Sequence, residues 1–227
     1  MDTLPWAAPD RWTTYLDAPV DFPRPVDLDD HVVFGLSREM VVRHGQGRVA
    51  VAVAGQEPDL SWTVAAAVRT YWQHTGRLPG LPDARDPKTG WRKVARWEDV
   101  ARQRPVWWSP PSGLRADEVT SALAEALGAP VPRGRNPTEW VCDLLLVRAV
   151  PVLVLAGLHA VVAPSDLPAV VSHLVDRTRT LLVLVEPDPD RVLFHGGNGR
   201  ELASRTALTR LSPPTLAKVL PFPARRA

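Results

Sequence analysis

The chain has 227 residues, a formal net charge of +2 and one cysteine, Cys142. That length suits one full domain, or one domain with an N-terminal extension, and can bury about 70% of its unfolded surface without staples. One thiol excludes an intramolecular disulfide and a cysteine-based zinc cluster, which fits a reducing cytoplasm, and the small, dispersed charge excess only weakly suggests nucleic acid.

Residues 1–30 are rich in Pro and Asp and read as an extended arm, followed by a short helix over 31–44. Together, residues 1–45 form an N-terminal unit ahead of a domain over 46–227. "RVAVAVAG" (48–55) is a strand whose small apolar run suggests burial on both faces. Asp59 can cap a helix running to about His74. Residues 75–104 read as a loop with a short helix near 97–103, and "RPVWWSP" (104–110) as a second short strand. In "ADEVTSALAEALG", Val119, Ala122, Leu123, Ala126 and Leu127 share one helical face, and Gly128 stops the helix. "NPTEW" predicts a capping box, with Asn136 at N-cap, Pro137 at N1 and Glu139 at N3, opening a helix to about Arg148.

"PVLVLAG" (151–157) is the strongest strand pattern. Ser165 begins another helix, with Leu167, Val170, Val171, Leu174 and Val175 on one face. "RTLLVLVE" (179–186) is a strand, "RVLFH" a short one, "GGNG" (196–199) a turn, "LTRL" (208–211) a last strand and "PPTLAKVL" a terminal helix. Strands alternating with helices predict an α/β domain with a mainly parallel sheet. No charged-then-apolar leader is visible, and the apolar runs near 150–163 and 181–185 are too short or too broken to span a bilayer, so a cytoplasmic protein with no membrane partner is expected. The nine tryptophans read chiefly as packing residues, with Trp6, Trp12, Trp91, Trp107 and Trp108 as candidate exposed contact points.

The stretch "AVAVAGQEPDLSWT" has the layout of a phosphate-binding loop: strand, glycine, loop, helix. Such a loop needs G-x-x-x-x-G-K-[ST], whose glycines let backbone N–H groups curl around phosphate and whose lysine adds a point charge. Counted from Gly55, Leu60 falls on the second glycine, Ser61 on the lysine and Trp62 on the hydroxyl. Counted from Gln56, Ser61 falls on the glycine, Trp62 on the lysine and Thr63 on the magnesium-binding hydroxyl. Neither register supplies a lysine. Glu57 and Asp59 would repel a triphosphate, and an Asp59 cap would occupy the helix N–H groups that an anion otherwise uses. An ordinary strand-to-helix turn is the simpler reading of these residues.

In "VPVLVLAGLHAVV", Ala156 and Gly157 stand where a Walker B strand carries its Asp–Glu pair, so no carboxylate there supports magnesium or polarises water. His159 is a candidate base or a packing residue. Cys142 lies in an apolar helix and reads as a packing cysteine. His195 precedes "GGNG".

The ordered series of segments resembles the TniB-like AAA+ ATPases that serve transposition, over roughly residues 10–220. "WTTYLDAPVDFP" matches their N-terminal arm, "RPVWWSPPSG" their second strand and "VTSALAEALGAPVPRGRNPTEWVCDLLL" their central helical block. "VPVLVLAGLHAVV" matches their Walker B strand with its following histidine at His159, and "VVSHLVDRTRTLLVLVEPDPDRVLF" and "GRELASRTALTRLSP" their last strands. The resemblance implies a three-layer α/β/α P-loop NTPase-like fold, oligomerisation on DNA and recruitment of a transposase. Thr63 matches the magnesium hydroxyl, and Arg205 and Arg200 match the arginine region near a subunit interface. Glu186 falls near the polar sensor position, where a carboxylate does not favour phosphate. The lysine and the Asp–Glu pair do not carry over.

The expectation is therefore a catalytically inactive AAA+-like module acting as a binding or regulatory protein, with a transposase or AAA+ homologue as partner and DNA as a further one. No cofactor or metal is expected, with ATP and magnesium weak at most, and the oligomeric state stays open. The alternatives are a nucleotide-binding sensor without turnover, and an unrelated small-molecule enzyme built on His159, His195 and Cys142.

Overall fold

The computed structural model describes residues 13–15, 30–46, 49–55, 59–75, 105–148 and 150–211. The readings at residues 1–12, 75–104 and 213–220, including Trp6, Trp12, Trp91 and the terminal helix, fall wholly or almost wholly outside that set. The domain is α/β. Five parallel strands, β2 (Ala50–Ala54), β3 (Val106–Trp108), β4 (Val152–Ala156), β5 (Leu181–Val185) and β6 (Thr206–Arg210), form a sheet in the order β3-β4-β5-β2-β6. A short strand β1 (Thr13–Tyr15) adds antiparallel to the β3 edge. Rossmann-like and P-loop-like folds share this kind of layout.

The helices are α1 (Asp30–Gln46), α2 (Asp59–Thr75), α3 (Val119–Ala126), α4 (Pro137–Val147), α5 (Leu167–Arg177), a single turn α6 (Pro189–Val192) and α7 (Gly196–Ser204). Among the described residues no helix is long and apolar enough to cross a membrane.

Side chains alternate across the sheet, as period-2 strands require. Val51, Val53, Val152, Val154, Val183 and Val185 pack with Leu60, Val64, Val68 and Met40 of α1 and α2 on one face. Ala52, Trp108, Leu153, Leu155, Leu182 and Leu184 pack with α3, α4, α5 and α7 on the other. Every residue of β2, β4 and β5 is buried, which is why these segments read as unbroken apolar runs. Trp107 (5% exposed) and Trp108 (0%) lie in the core, one on each face, so they are not surface contacts as the sequence reading had them.

The α3 helix buries Val119, Leu123 and Leu127, the face its periodicity marks. Gly128 then takes a left-handed φ of +74°, and the N–H groups of Gly128 and Ala129 bond back to Glu125 and Ala124, closing the C-terminus. Asn136 caps α4 by accepting from the N–H groups of Thr138 (2.9 Å) and Glu139 (3.2 Å). The Glu139 carboxylate lies instead near α5, 3.0 Å from His173 Nε2 and 3.5 Å from Arg177 Nη2.

Two expected elements differ. "RVLFH" is not a strand, because Asp188 caps a helical turn by accepting from Arg191 N and Pro189 supplies a helical φ at its first position. "GGNG" is the first turn of α7 rather than an isolated turn. Gly199 is there for room. A Cβ at this position would sit 2.6 Å from the Phe194 carbonyl carbon and 2.8 Å from the Leu193 oxygen.

His44 (8% exposed) joins α1 to the rest. Its Nε2–H donates to the Arg179 carbonyl ahead of β5 (3.1 Å), which leaves Nδ1 to accept from the Tyr71 hydroxyl of α2. Burial holds its pKa below the usual 6.5, partly offset by the Arg179 bond.

Two predictions follow from this packing. Gly197, with open space around its Cβ, should gain up to about 1 kcal/mol as Ala from helix propensity. Gly199→Ala should lose about 1–3 kcal/mol, because the backbone contact outweighs propensity; urea midpoints of opposite sign are the check. For His44, the folded state resists protonation, so stability should fall on acidification from about pH 6.5 toward the lower folded pKa. His44→Gln should remove that slope in urea titrations run across this window.

Candidate functional site

Adjacent strands β2 and β5 send their outgoing connections to opposite faces: β2 leads into α2, and β5 into α6 and α7. The crevice at their carboxyl ends is therefore the topological switch point of the sheet, where open α/β sheets bind ligands. Gly55 follows β2 there, Glu186 follows β5, and the turn Leu158–Ala160 follows the neighbouring strand β4.

On the β2 side, α2 begins at Asp59, so Leu60, Ser61 and Thr63 are already helical and buried. Leu211, whose N–H donates to the Ala54 carbonyl (2.7 Å), and Leu60 close over Gly55: a Cβ on Gly55 would meet them at 3.1 and 3.6 Å. Gln56, Glu57 and Pro58 lie outside the described residues, as do the side chains of Asp59 and Trp62. A phosphate cradle needs several backbone N–H groups curled around an open space. Here the space against Gly55 is taken by two leucines.

On the β4 side, Ala156 is 6% exposed and Gly157 has φ +74°. The left-handed backbone explains a glycine where a Walker B glutamate would stand, since a side chain there is strained. It also turns the next two N–H groups toward β5. Glu186, 0% exposed, accepts from Leu158 N, from His159 N (3.3 Å) and from the His159 ring at Nδ1 (2.9 Å). Its own N–H donates to the Val53 carbonyl (3.1 Å), and Gly157 N donates to Val185 (3.1 Å), so β2, β4 and β5 are tied at one point. On its far side the turn bonds to the loop after β3, through Gly113 N to Ala160 O (3.4 Å) and Val162 N to Leu114 O (2.8 Å).

Burial pushes the Glu186 carboxyl above the usual carboxylate range, against the opposing pull of the His159 ring and of the two amides. When ionised, that carboxylate can only accept, which places a proton on His159 Nδ1 and leaves Nε2 facing away from it. The His159 side chain is about half exposed (53%) and lines a groove of about 450 Å³ with Asp188 and Arg191, walled by Val161, Pro187 and Val192. A half-exposed imidazole backed by a buried carboxylate can accept a proton or orient a polar ligand.

Sequence reading named His159 but not its partnership with Glu186, 27 residues away. The available signal was a charged residue directly after the apolar run "LLVLV". The other candidates lie apart from this pair. Arg205 makes a two-pronged ion pair with Asp176 of α5 (2.6 and 3.2 Å), and Arg200 is exposed on α7. Cys142 is buried in α4, where burial and the nearby Glu139 push its thiol up to about 11, so it is no nucleophile at neutral pH. His195 is exposed at the start of α7, and neither it nor Cys142 lines the groove. No cluster of three or more His, Cys, Asp or Glu suited to a metal occurs among the described residues.

No family model matches the chain, and no curated protein matches it at a significant level. The class that fold and site define is an α/β protein with a parallel sheet and a buried carboxylate–histidine pair at its switch point.

Because the Glu186 pKa is raised in the folded state, its contribution to stability is full below the unfolded carboxyl value, near 4.5, and declines as pH rises through the folded value. Glu186→Gln should therefore gain on the wild type as pH rises through that window. Glu186→Ala, which orphans the Leu158 and His159 amides, should cost about 3 kcal/mol at neutral pH. Chemical denaturation of the three proteins across pH is the measurement.

Proposed function

We propose that the protein is a catalytically silent, AAA+-like α/β module that works by binding a partner rather than by turning over nucleotide. The observation that carries this reading is the packing at Gly55: Leu60 and Leu211 lie against it, and α2 begins four residues on, at Asp59. Ala156 and Gly157 offer no carboxylate for magnesium or water, and the carboxylate closest to them along the β4–β5 ends, Glu186, is engaged by two amides and an imidazole. Phosphoryl transfer depends almost wholly on positioning and charge stabilisation, and this arrangement supplies neither.

The likeness to the TniB-like transposition ATPases supports a protein partner of the transposase or AAA+ kind, with DNA as a further one. Phe34 on α1, 63% exposed, gives a protein partner an apolar contact. Arg205, tied to Asp176, would have to leave that pair to reach a neighbouring subunit's nucleotide.

Calorimetric titration with Mg-ATP should give no heat of binding at millimolar nucleotide, and phosphate release should equal the uncatalysed background. A micromolar dissociation constant would sink the proposal. Tryptophan fluorescence that responds saturably to ADP would favour the sensor reading instead.

A further inference from the structure

The groove beside the His159–Glu186 pair carries chemistry that the silent-module reading does not use. Asp188 and Arg191 stand three residues apart on the short connection after β5, both exposed, and both line the groove with His159. They make no ion pair with each other. The bond that Asp188 accepts comes from the Arg191 backbone N–H (3.3 Å), which orients the carboxylate and leaves its second oxygen without a partner among the described residues. The Arg191 guanidinium likewise has no side-chain partner among them. By contrast, the exposed Arg210 at the end of β6 holds Asp190. An opposite pair of charges is thus presented together, with no ion-pair partner among the described residues.

The third polar group is the His159 imidazole. Its orientation is fixed by Glu186, and its backbone by the anchored Leu158 and by the hydrogen bonds that Ala160 and Val162 make to the β3 loop. With Nδ1–H donating to an ionised Glu186, Nε2, which has no partner among the described residues, accepts. Between these groups the walls are apolar, formed by Val161, Pro187 and Val192, and the volume of about 450 Å³ suits a small molecule.

We infer that this groove binds a small zwitterion with an apolar body, of the free α-amino acid class: carboxylate on Arg191, ammonium on Asp188 and His159 Nε2, side chain against Val161, Pro187 and Val192. A guanidinium takes a carboxylate through two parallel N–H bonds. A simple anion would leave Asp188 facing it, and a dianionic phosphate would be repelled by Asp188 and Glu186 together. A simple cation would meet Arg191. Only a ligand carrying both charges pairs with both groups.

The inference is independent of the silent-module reading, so its failure leaves that reading untouched. The test is a titration of the full chain with L-leucine, N-acetyl-leucine, leucinamide and inorganic phosphate, followed through the ¹⁵N signals of the His159 ring. L-leucine should shift the Nε2 signal saturably. The two blocked forms, and L-leucine on Arg191→Gln or Asp188→Asn, should each bind about tenfold more weakly or worse, the loss expected for one charge-assisted contact. Asn also serves as a helix cap, so Asp188→Asn should keep the thermal midpoint of the wild type. No saturable shift with L-leucine, equal binding by the blocked forms, or a response to phosphate that L-leucine does not produce would each overturn the inference.

Discussion

A fully buried carboxylate, Glu186, sits at the point where three central strands end, and the local structure is arranged to satisfy it. An ionised group in such a place is costly unless it is richly hydrogen-bonded. Two backbone amides and an imidazole supply the bonds. To aim those amides, the chain after β4 must turn through a left-handed residue, which selects Gly157. To hold the turn, Leu158 is fully buried and the residues after it bond to the loop that follows β3. One residue thus ties the ends of β2, β4 and β5, through its backbone N–H to Val53 and its carboxylate to the turn after β4, and sets the position of His159.

This arrangement gives a physical account of why Ala156 and Gly157, at the end of β4, carry no acid. A second carboxylate at Ala156 or Gly157 would stand close to Glu186 and raise the desolvation and repulsion that the site already bears. On the β2 side the same economy holds in apolar form, with Leu60 and Leu211 closing over Gly55. At the carboxyl ends of these strands, Glu186 is enclosed by its hydrogen-bond donors and Gly55 by two leucines. Among the described residues, a groove opens beside His159.

Much of the fold was legible because burial and period leave marks on neighbouring residues. "AVAVA", "VLVLA" and "LLVLV" read as buried parallel strands and are β2, β4 and β5. Asn136 and Pro137 announced the start of α4, and Gly128 the end of α3. "RVLFH" misled because a short apolar run has no period of its own, and the cap at Asp188 with Pro189 decided for a helical turn. "GGNG" misled because glycine's preference for turns ignores the need for a residue without a side chain where α7 crosses Phe194. Trp107 and Trp108 are the last two residues of β3, and their burial depends on helices distant in sequence, α1 and α2 on one face and α3, α4 and α5 on the other.

By itself the sequence determined the α/β class, the absence of a lysine between residues 55 and 63 and of a carboxylate at residues 156 and 157, and the candidacy of His159, since each is a matter of residue type or local spacing. The tertiary structure alone decided what became of those positions. A local pattern can say that a carboxylate follows a buried strand. It cannot say which donors will meet it, because Glu186 and His159 are brought together only when β4 and β5 pair in register and their ends converge.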